Sequence, residues 1–280
     1  MCQATPAEPM VPRMRRLARS AAGAVVRSTV GTLPLFEYKL EVTRWRAARE
    51  MQRREDRLVR EHLRAKGAAP SARVTTVVAT YRRPEMLALA VASAIEQTVT
   101  DQRIVVVDDG GGELGDLPDD PRITVVELAE NVGTAGVVRN VGIRLSHSPL
   151  VAFLDDDNTW TPDHLEVALE AHARGAGFTY SSLERVDGSG VRLDTYGEPF
   201  DRSLMKERSL VDTNAMVLER TPRVLFSRVP RGRDDFPGED WELTWRLSRH
   251  MKVVHIPRAT VRYVVHSGSN YSHWGTAAES

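Results

Sequence analysis

Leu150–Asn158 reads LVAFLDDDN, an apolar run from Leu150 to Leu154 that stops abruptly at Asp155, Asp156 and Asp157. The run has the length and bulk of a strand buried on both faces, and the acids stand where such a strand leaves its sheet. Adjacent carboxylates repel one another, which a solvated turn tolerates. At the C-terminal mouth of a buried strand the cluster has another use, because open α/β sheets bind ligands at that edge. A hard divalent cation offsets the repulsion: Mg2+ or Mn2+ takes carboxylate oxygens and shares its remaining positions with phosphate.

Working outward from this strand, the chain alternates strands with helices. Val74–Ala79 reads as a strand and Pro84–Gln97 as a helix with proline suited to its first turn. Strands follow at Arg103–Val107, which ends in Asp108 and Asp109, and at Ile123–Leu128. The loop Asn131–Thr134 then leads into a helix to about Leu145. After the aspartates comes a helix over Thr161–Arg174, with Thr161 as N-cap and Pro162 in its first turn. Such alternation predicts an α/β, mainly parallel, doubly wound sheet. Beyond Gly175 the pattern changes to strand-like pieces at 177–184, 191–195 and 211–219, a helix at 239–250, and short strands at 252–256 and 260–265.

The 280 residues divide into an N-terminal tail and helical extension, 1–70, and a main domain, 71–280. Lys+Arg and Asp+Glu are equal at 38 each, so no global field points to a nucleic-acid partner. The balance hides an asymmetry, with 15 Lys/Arg against 6 Asp/Glu between Arg13 and Lys66. From Leu35 to Lys66 apolar residues recur at three- and four-residue steps, which predicts an amphipathic helix. Its expected roles are docking on the main domain or pairing with a second copy. A basic membrane-surface helix is the sharper alternative, although Glu41, Glu50, Glu55, Asp56 and Glu61 dilute its charge. Gly67–Ser71 reads as a linker. Cys2 is the one cysteine, which leaves no intramolecular disulfide. No window has the apolar length of a membrane span, so the expected setting is cytoplasmic, at most peripheral to a membrane.

Parallel strands share their C-terminal side, so Thr80-Tyr81-Arg82, Asp108-Asp109 and Asp155-Asp156-Asp157 are expected on one edge. Tyr81 suits stacking on a nucleobase and Asp109 suits accepting from an imide N–H, though a strand-end tyrosine and a turn aspartate explain each singly. Neither G-x-G-x-x-G after the first strand nor G-x-x-x-x-G-K-[ST] is present. Phosphate charge would therefore be met by metal or arginine, which argues against a dinucleotide dehydrogenase and a P-loop nucleotidase.

The series TYRRP (80–84), VVVDDGG (105–111), NVGTAGVVRNVG (131–142), FLDDDN (153–158), GEDWELTWRL (238–247) and YVVHSGS (263–269) resembles family 2 glycosyltransferases with the GT-A fold, over about residues 73–270. The resemblance implies an inverting hexosyltransferase using a nucleotide-sugar donor, commonly a UDP-hexose, and a small-molecule, glycan or peptide acceptor. It implies that Thr80, Tyr81 and Asp109 hold base and ribose, and that Asn131, Gly133 and Arg139 flank the donor. Asp155 and Asp156 of the DXD-type motif would meet ribose and diphosphate. Asp157 would be the principal ligand of Mn2+ or Mg2+, with Asp155 and with His266, which follows a predicted strand. Asp240 of the Glu239-Asp240 pair would be the general base, since an acceptor hydroxyl must lose its proton as it attacks. Arg82 stands where the family usually has asparagine, and Gly110-Gly111 where it usually has Gly-Ser. The competing expectations are a metal-dependent nucleotidyltransferase and a catalytically silent binding protein of the same fold.

Overall fold

The structure, a computed structural model, describes residues 21–232 and 235–265, with side chains from Val26 onward. Among the described residues two helices come first, α1 (Ala21–Val30) and α2 (Thr32–Lys66). They precede a nine-stranded mixed sheet in the order β3-β2-β1-β4-β8-β6-β9-β5, with β7 paired to β6. Its parallel half is β1 (Val74–Thr80), β2 (Gln102–Asp108), β3 (Ile123–Glu127) and β4 (Leu150–Asp155). The remaining strands are β5 (Asn158–Trp160), β6 (Phe178–Val186), β7 (Arg192–Tyr196), β8 (Met216–Glu219) and β9 (Val253–Val264). The helices between strands are α3 (Pro84–Ile95), α4 (Ala135–Leu145), α5 (His164–Ala173) and α6 (Glu239–Leu247).

β4 is central because its side chains are apolar on both faces. Val151, Ala152, Phe153 and Leu154 are fully buried, and the strand lies between β1 and antiparallel β8. Burying a side chain such as Phe153 is worth about 1.5–3 kcal/mol. Phe153 also meets Phe226 edge-on, with ring centroids 5.1 Å apart. α4 packs on β1 and β2. Gly142 permits that approach: a Cβ there would lie 2.5 Å from Val77 Cγ1.

α2 forms a further layer over α4. Leu58 and Val59 are buried, and fully buried Glu55 accepts from Asn140 and Arg144 of α4 and from Arg228. The helix is therefore docked on the main domain, one of the two roles expected of it. The segment read as a linker is docked too: Ala69 is buried and its N–H donates to Leu145 O at 2.9 Å.

Four local expectations change. Residues 211–219 are not one strand, because the Asp212 side chain accepts from Asn214 N–H and turns Thr213–Ala215 into a 3-10 segment before β8. The strands expected at 252–256 and 260–265 are one strand, β9, whose pairing with β6 jumps from Ile256 to Ala259. Pro257 lies inside the jump, where a residue without an N–H leaves the ladder. Thr161 is not the N-cap of α5; it hydrogen-bonds to Asp163 at 2.6 Å, and the helix begins at His164. The helix expected over 239–250 ends at Leu247.

Candidate active site

The parallel register sets Thr80 opposite Asp108 and Ala79 opposite Asp155, so the loops after β1, β2 and β4 leave the sheet at one edge. The chain runs outward through β1, β2 and β3, then returns to place β4 on the other side of β1. That reversal opens the crevice of an α/β sheet. Arg83 crosses it, donating from Nη1 to Asp156 Oδ1 at 3.0 Å and to Asp157 Oδ2 at 2.9 Å. Thr80 Oγ1 donates to Asp156 Oδ2 at 2.8 Å, and burial raises the Asp156 carboxyl against that bond.

Asp109 is buried and accepts the backbone N–H groups of Val132 (2.6 Å) and Gly133 (3.0 Å). Burial raises its carboxyl, and these two bonds oppose the shift. The expected base-binding acid thus pins the Asn131–Gly133 loop, keeping lone pairs to spare. Gly110 lets the loops meet: its φ is +72°, and a Cβ would lie 2.5 Å from Glu130 C. Tyr81 is 40% exposed beside this edge, with the Arg82 guanidinium 5.2 Å from its ring.

The opposite wall comes from α6 and the segment before it. A cleft of about 460 Å³ is lined by Gly133, Arg139, Asp155, Asp157, Asp212, Arg231, Asp235, Glu239 and Asp240, among others. Buried Arg139 spans the two sides, donating to Asp155 Oδ1 at 2.5 Å and to Glu239 Oε1 at 3.0 Å. Asn214 steadies Asp155 from below: its Oδ1 accepts Asp155 N–H at 2.6 Å and its Nδ2 donates to Oδ2 at 3.2 Å.

Half-buried Asp240 sits in the first turn of α6, with Oδ1 accepting Trp241 N–H at 2.7 Å. Burial, then the charges of Glu239 and Asp212, push its carboxyl up to about 7. Asp212 is itself pushed up to about 6 by burial, against a hydrogen bond from Asn214. A carboxyl poised near neutrality has the acidity suited to general-base work. Fully buried Trp241 fixes the helix by donating from Nε1 to Met205 O at 2.6 Å. Trp241 and Leu247 are core. Trp245 is not among the cleft-lining residues; it stacks on Trp241 and lies under Arg202.

Of the residues expected from the sequence, the cleft gathers Gly133, Arg139, Asp155, Asp157, Glu239 and Asp240. Thr80 and Asp156 form the buried pair behind it, Asn131 and Tyr81 are exposed on the rim loops, and His266 lies outside the described residues. Sequence reasoning missed Asp212, Asn214, Arg231, Asp235 and Arg83. The Asp-x-Asn at 212–214, ahead of the apolar run Ala215–Leu218, was the available signal, since that pairing favours a turn. The second wall is held from α2. Glu37 accepts from Arg231 at 2.7 Å, Arg44 Nη2 donates to Asp235 Oδ1 at 3.0 Å, and Glu55 takes Arg228.

Among the described residues no group of three His, Cys, Asp or Glu side chains could hold a metal ion. Asp155 and Asp157 both face the cleft, however, and Mg2+ is bound by one or two carboxylates with substrate phosphates and waters. The donor set fits a hard cation whose shell the substrate completes.

A mixed sheet flanked by helices, with an acid-lined cleft at the reversal of strand order, is the GT-A glycosyltransferase fold. The chain belongs to glycosyl transferase family 2, which it matches over residues 75–221. It is similar to the succinoglycan biosynthesis protein ExoO of Rhizobium meliloti (strain 1021), with 34% identity over 131 residues, 45% of this chain and 37% of that protein. The uncharacterized glycosyltransferase YwdF of Bacillus subtilis (strain 168) is 25% identical over 212 residues, 71% of this chain and 77% of the relative. In structure it is similar to S. aureus TarS 1–349 in complex with UDP-GlcNAc, at a TM-score of 0.56 and 18% identity, covering 72% of this chain and 61% of that one. The chain thus spans little more than a third of the length of ExoO and 61% of TarS 1–349. Among the described residues no helix is long and apolar enough to cross a membrane.

Proposed function

We infer that the cleft transfers a hexose from a UDP-sugar to an acceptor hydroxyl with inversion at the anomeric carbon. The observation that carries this reading is the Arg139 bridge. One buried guanidinium ties the acid at the end of β4, where family members meet the diphosphate, to the Glu239-Asp240 turn that would face the acceptor. TarS, whose fold is similar, binds UDP-GlcNAc, which supports a UDP-hexose donor. ExoO is a succinoglycan biosynthesis protein, which supports a glycan acceptor.

In this mechanism Tyr81 stacks on the base, while Thr80 and Asp156 fix the strand ends beneath the ribose. Asp109 holds Asn131–Gly133 against the donor. Asp240 takes the acceptor hydroxyl proton as that oxygen bonds to the anomeric carbon, and the bond to the diphosphate oxygen breaks on the opposite face. Glu239, held by Arg139, positions the acceptor. Asp157, with Asp155 and His266, would hold Mn2+ or Mg2+, which would supply positive charge to the leaving diphosphate. We place this chemistry in the cytoplasm, a setting with which a single cysteine, Cys2, is compatible.

The test is a screen of UDP-hexoses with Mn2+, reading thermal shift and the released nucleotide. Stabilisation by a UDP-sugar with release of UDP supports the reading. Release of pyrophosphate from a nucleoside triphosphate and sugar phosphate would make the protein a nucleotidyltransferase, and no turnover with any donor would make it a binding protein.

A further inference from the structure

Helix α2 is docked by one face only. On its other side Tyr38, Val42 and Trp45, spaced i, i+4 and i+7, share one stripe and are 66%, 53% and 48% exposed. Val26 and Val30 of the adjoining α1 are each 43% exposed. The guanidinium carbons of Arg46 and Arg49 stand 5.3 Å from the centre of the Trp45 ring. Lys39, Arg46, Arg49, Arg60 and Arg64 are exposed, while the ion pairs of α2 cations within the described residues are made by Arg44, Arg53, Arg54 and Arg57.

In the sequence the acids of this helix dilute its positive charge. The structure sorts them. Glu37 pairs with Arg231, Glu55 with Arg144 and Arg228, and Asp56 with Arg144, so all three are spent on the body of the protein. Glu41, Glu50 and Glu61 remain outside among a larger number of cations. Arg13, Arg15, Arg16 and Arg19 precede α1 in the sequence and add to the same end of the chain.

We propose that the outer face of α1 and α2 docks on the surface of an anionic phospholipid bilayer. Trp45 and Tyr38 have the amphipathic rings that settle at headgroup depth, and the valines reach the acyl boundary. Arg46 and Arg49 lay their stems along the tryptophan and extend their charge to lipid phosphates. Neither helix has the length and apolarity of a membrane span, so the contact runs along the surface. A second copy is the poorer occupant, because a two-fold contact would set this basic face against itself.

The test is co-sedimentation of the full chain with vesicles of phosphatidylcholine alone and of phosphatidylcholine mixed with phosphatidylglycerol, at low and high salt. The proposal expects binding to the phosphatidylglycerol vesicles that salt weakens. The double variant Tyr38→Ser/Trp45→Ser should lower partitioning about tenfold or more. Arg46→Gln/Arg49→Gln should reduce the preference for anionic lipid. These side chains are exposed, so the circular dichroism melts of both variants should match the parent, showing that any loss is one of contact. Absence of binding to anionic vesicles, equal binding to neutral ones, or binding that neither variant changes would overturn the proposal. So would a dimer in sedimentation equilibrium that Trp45→Ser dissociates, since the face would then belong to a second copy.

Discussion

Arg139 Nη1 lies 3.0 Å from Glu239 Oε1, joining residues a hundred positions apart across the cleft. The same guanidinium donates from Nη2 to Asp155, so the acid edge of the sheet and the start of α6 share one buried cation. Two carboxylates hold it protonated at any accessible pH, and it in turn fixes both of them.

Replacing that cation with lysine keeps the charge but not the fork that serves both acids. Arg139→Lys should lose about 1–3 kcal/mol of stability, since one half-buried carboxylate is left without its partner. It should also weaken donor binding. Urea denaturation beside calorimetric titration with UDP checks both; unchanged values would mean that the bridge does not organise the cleft.

The support from α2 makes a separate prediction. Glu55 is fully buried and accepts from Asn140, Arg144 and Arg228 at 2.6–3.0 Å. Glu55→Gln retains the shape and removes the charge that two arginines share. Because those arginines are partly exposed, the expected loss is about 2–3 kcal/mol, below that of a fully desolvated pair. A urea midpoint unchanged by the substitution would show that the helix rests on apolar contacts instead.

For Asp157, chelation and substitution should agree. Asp157→Ala should remove most of the Mn2+-dependent part of UDP-sugar affinity, while the apolar residues of β4, which carry the fold, are untouched. Calorimetry with and without chelator provides the comparison. A variant whose affinity still responds to Mn2+ as the parent does would assign the metal elsewhere.

The parallel half of the fold was legible because its signals are local. Each apolar run ends in a polar cluster, and parallel register places those ends together, as Thr80 with Asp108 and Ala79 with Asp155 show. The second wall was not legible. Arg231 and Asp235 lie in irregular backbone, and their partners Glu37 and Arg44 are 194 and 191 residues away, a distance at which no periodicity speaks. One departure from the family pattern gains a physical meaning. Arg82 has φ +53°, the left-handed region that asparagine tolerates better than arginine, which accounts for the asparagine usual there. Its backbone N also lies 3.0 Å from where a Gly111 Cβ would stand, so serine would be crowded at that position.

The raised carboxyl of Asp240 predicts a pH dependence of stability with a definite sign. Its folded pKa of about 7 exceeds the unfolded value near 3.8, so between those limits the folded state binds the extra proton. Stability from this group is therefore greatest at low pH, falls as pH rises through the window, and levels off above about 7. Asp240→Asn should abolish that fall, melting as the parent does near pH 4 and exceeding it at pH 8 by about 1–3 kcal/mol. Thermal melts across the range give the difference curve; a constant difference would mean that the carboxyl is not perturbed.

In the proposed mechanism Asp240 removes the acceptor proton while the donor is held by other residues. The most direct test measures, for Asp240→Asn, UDP-sugar affinity by calorimetry and the rate of transfer with the same donor. Loss of a general base typically costs about 10² to 10⁴ in rate. A loss of that size is expected with donor affinity nearly unchanged. Near-normal transfer, or donor binding that falls in proportion to the rate, would contradict it.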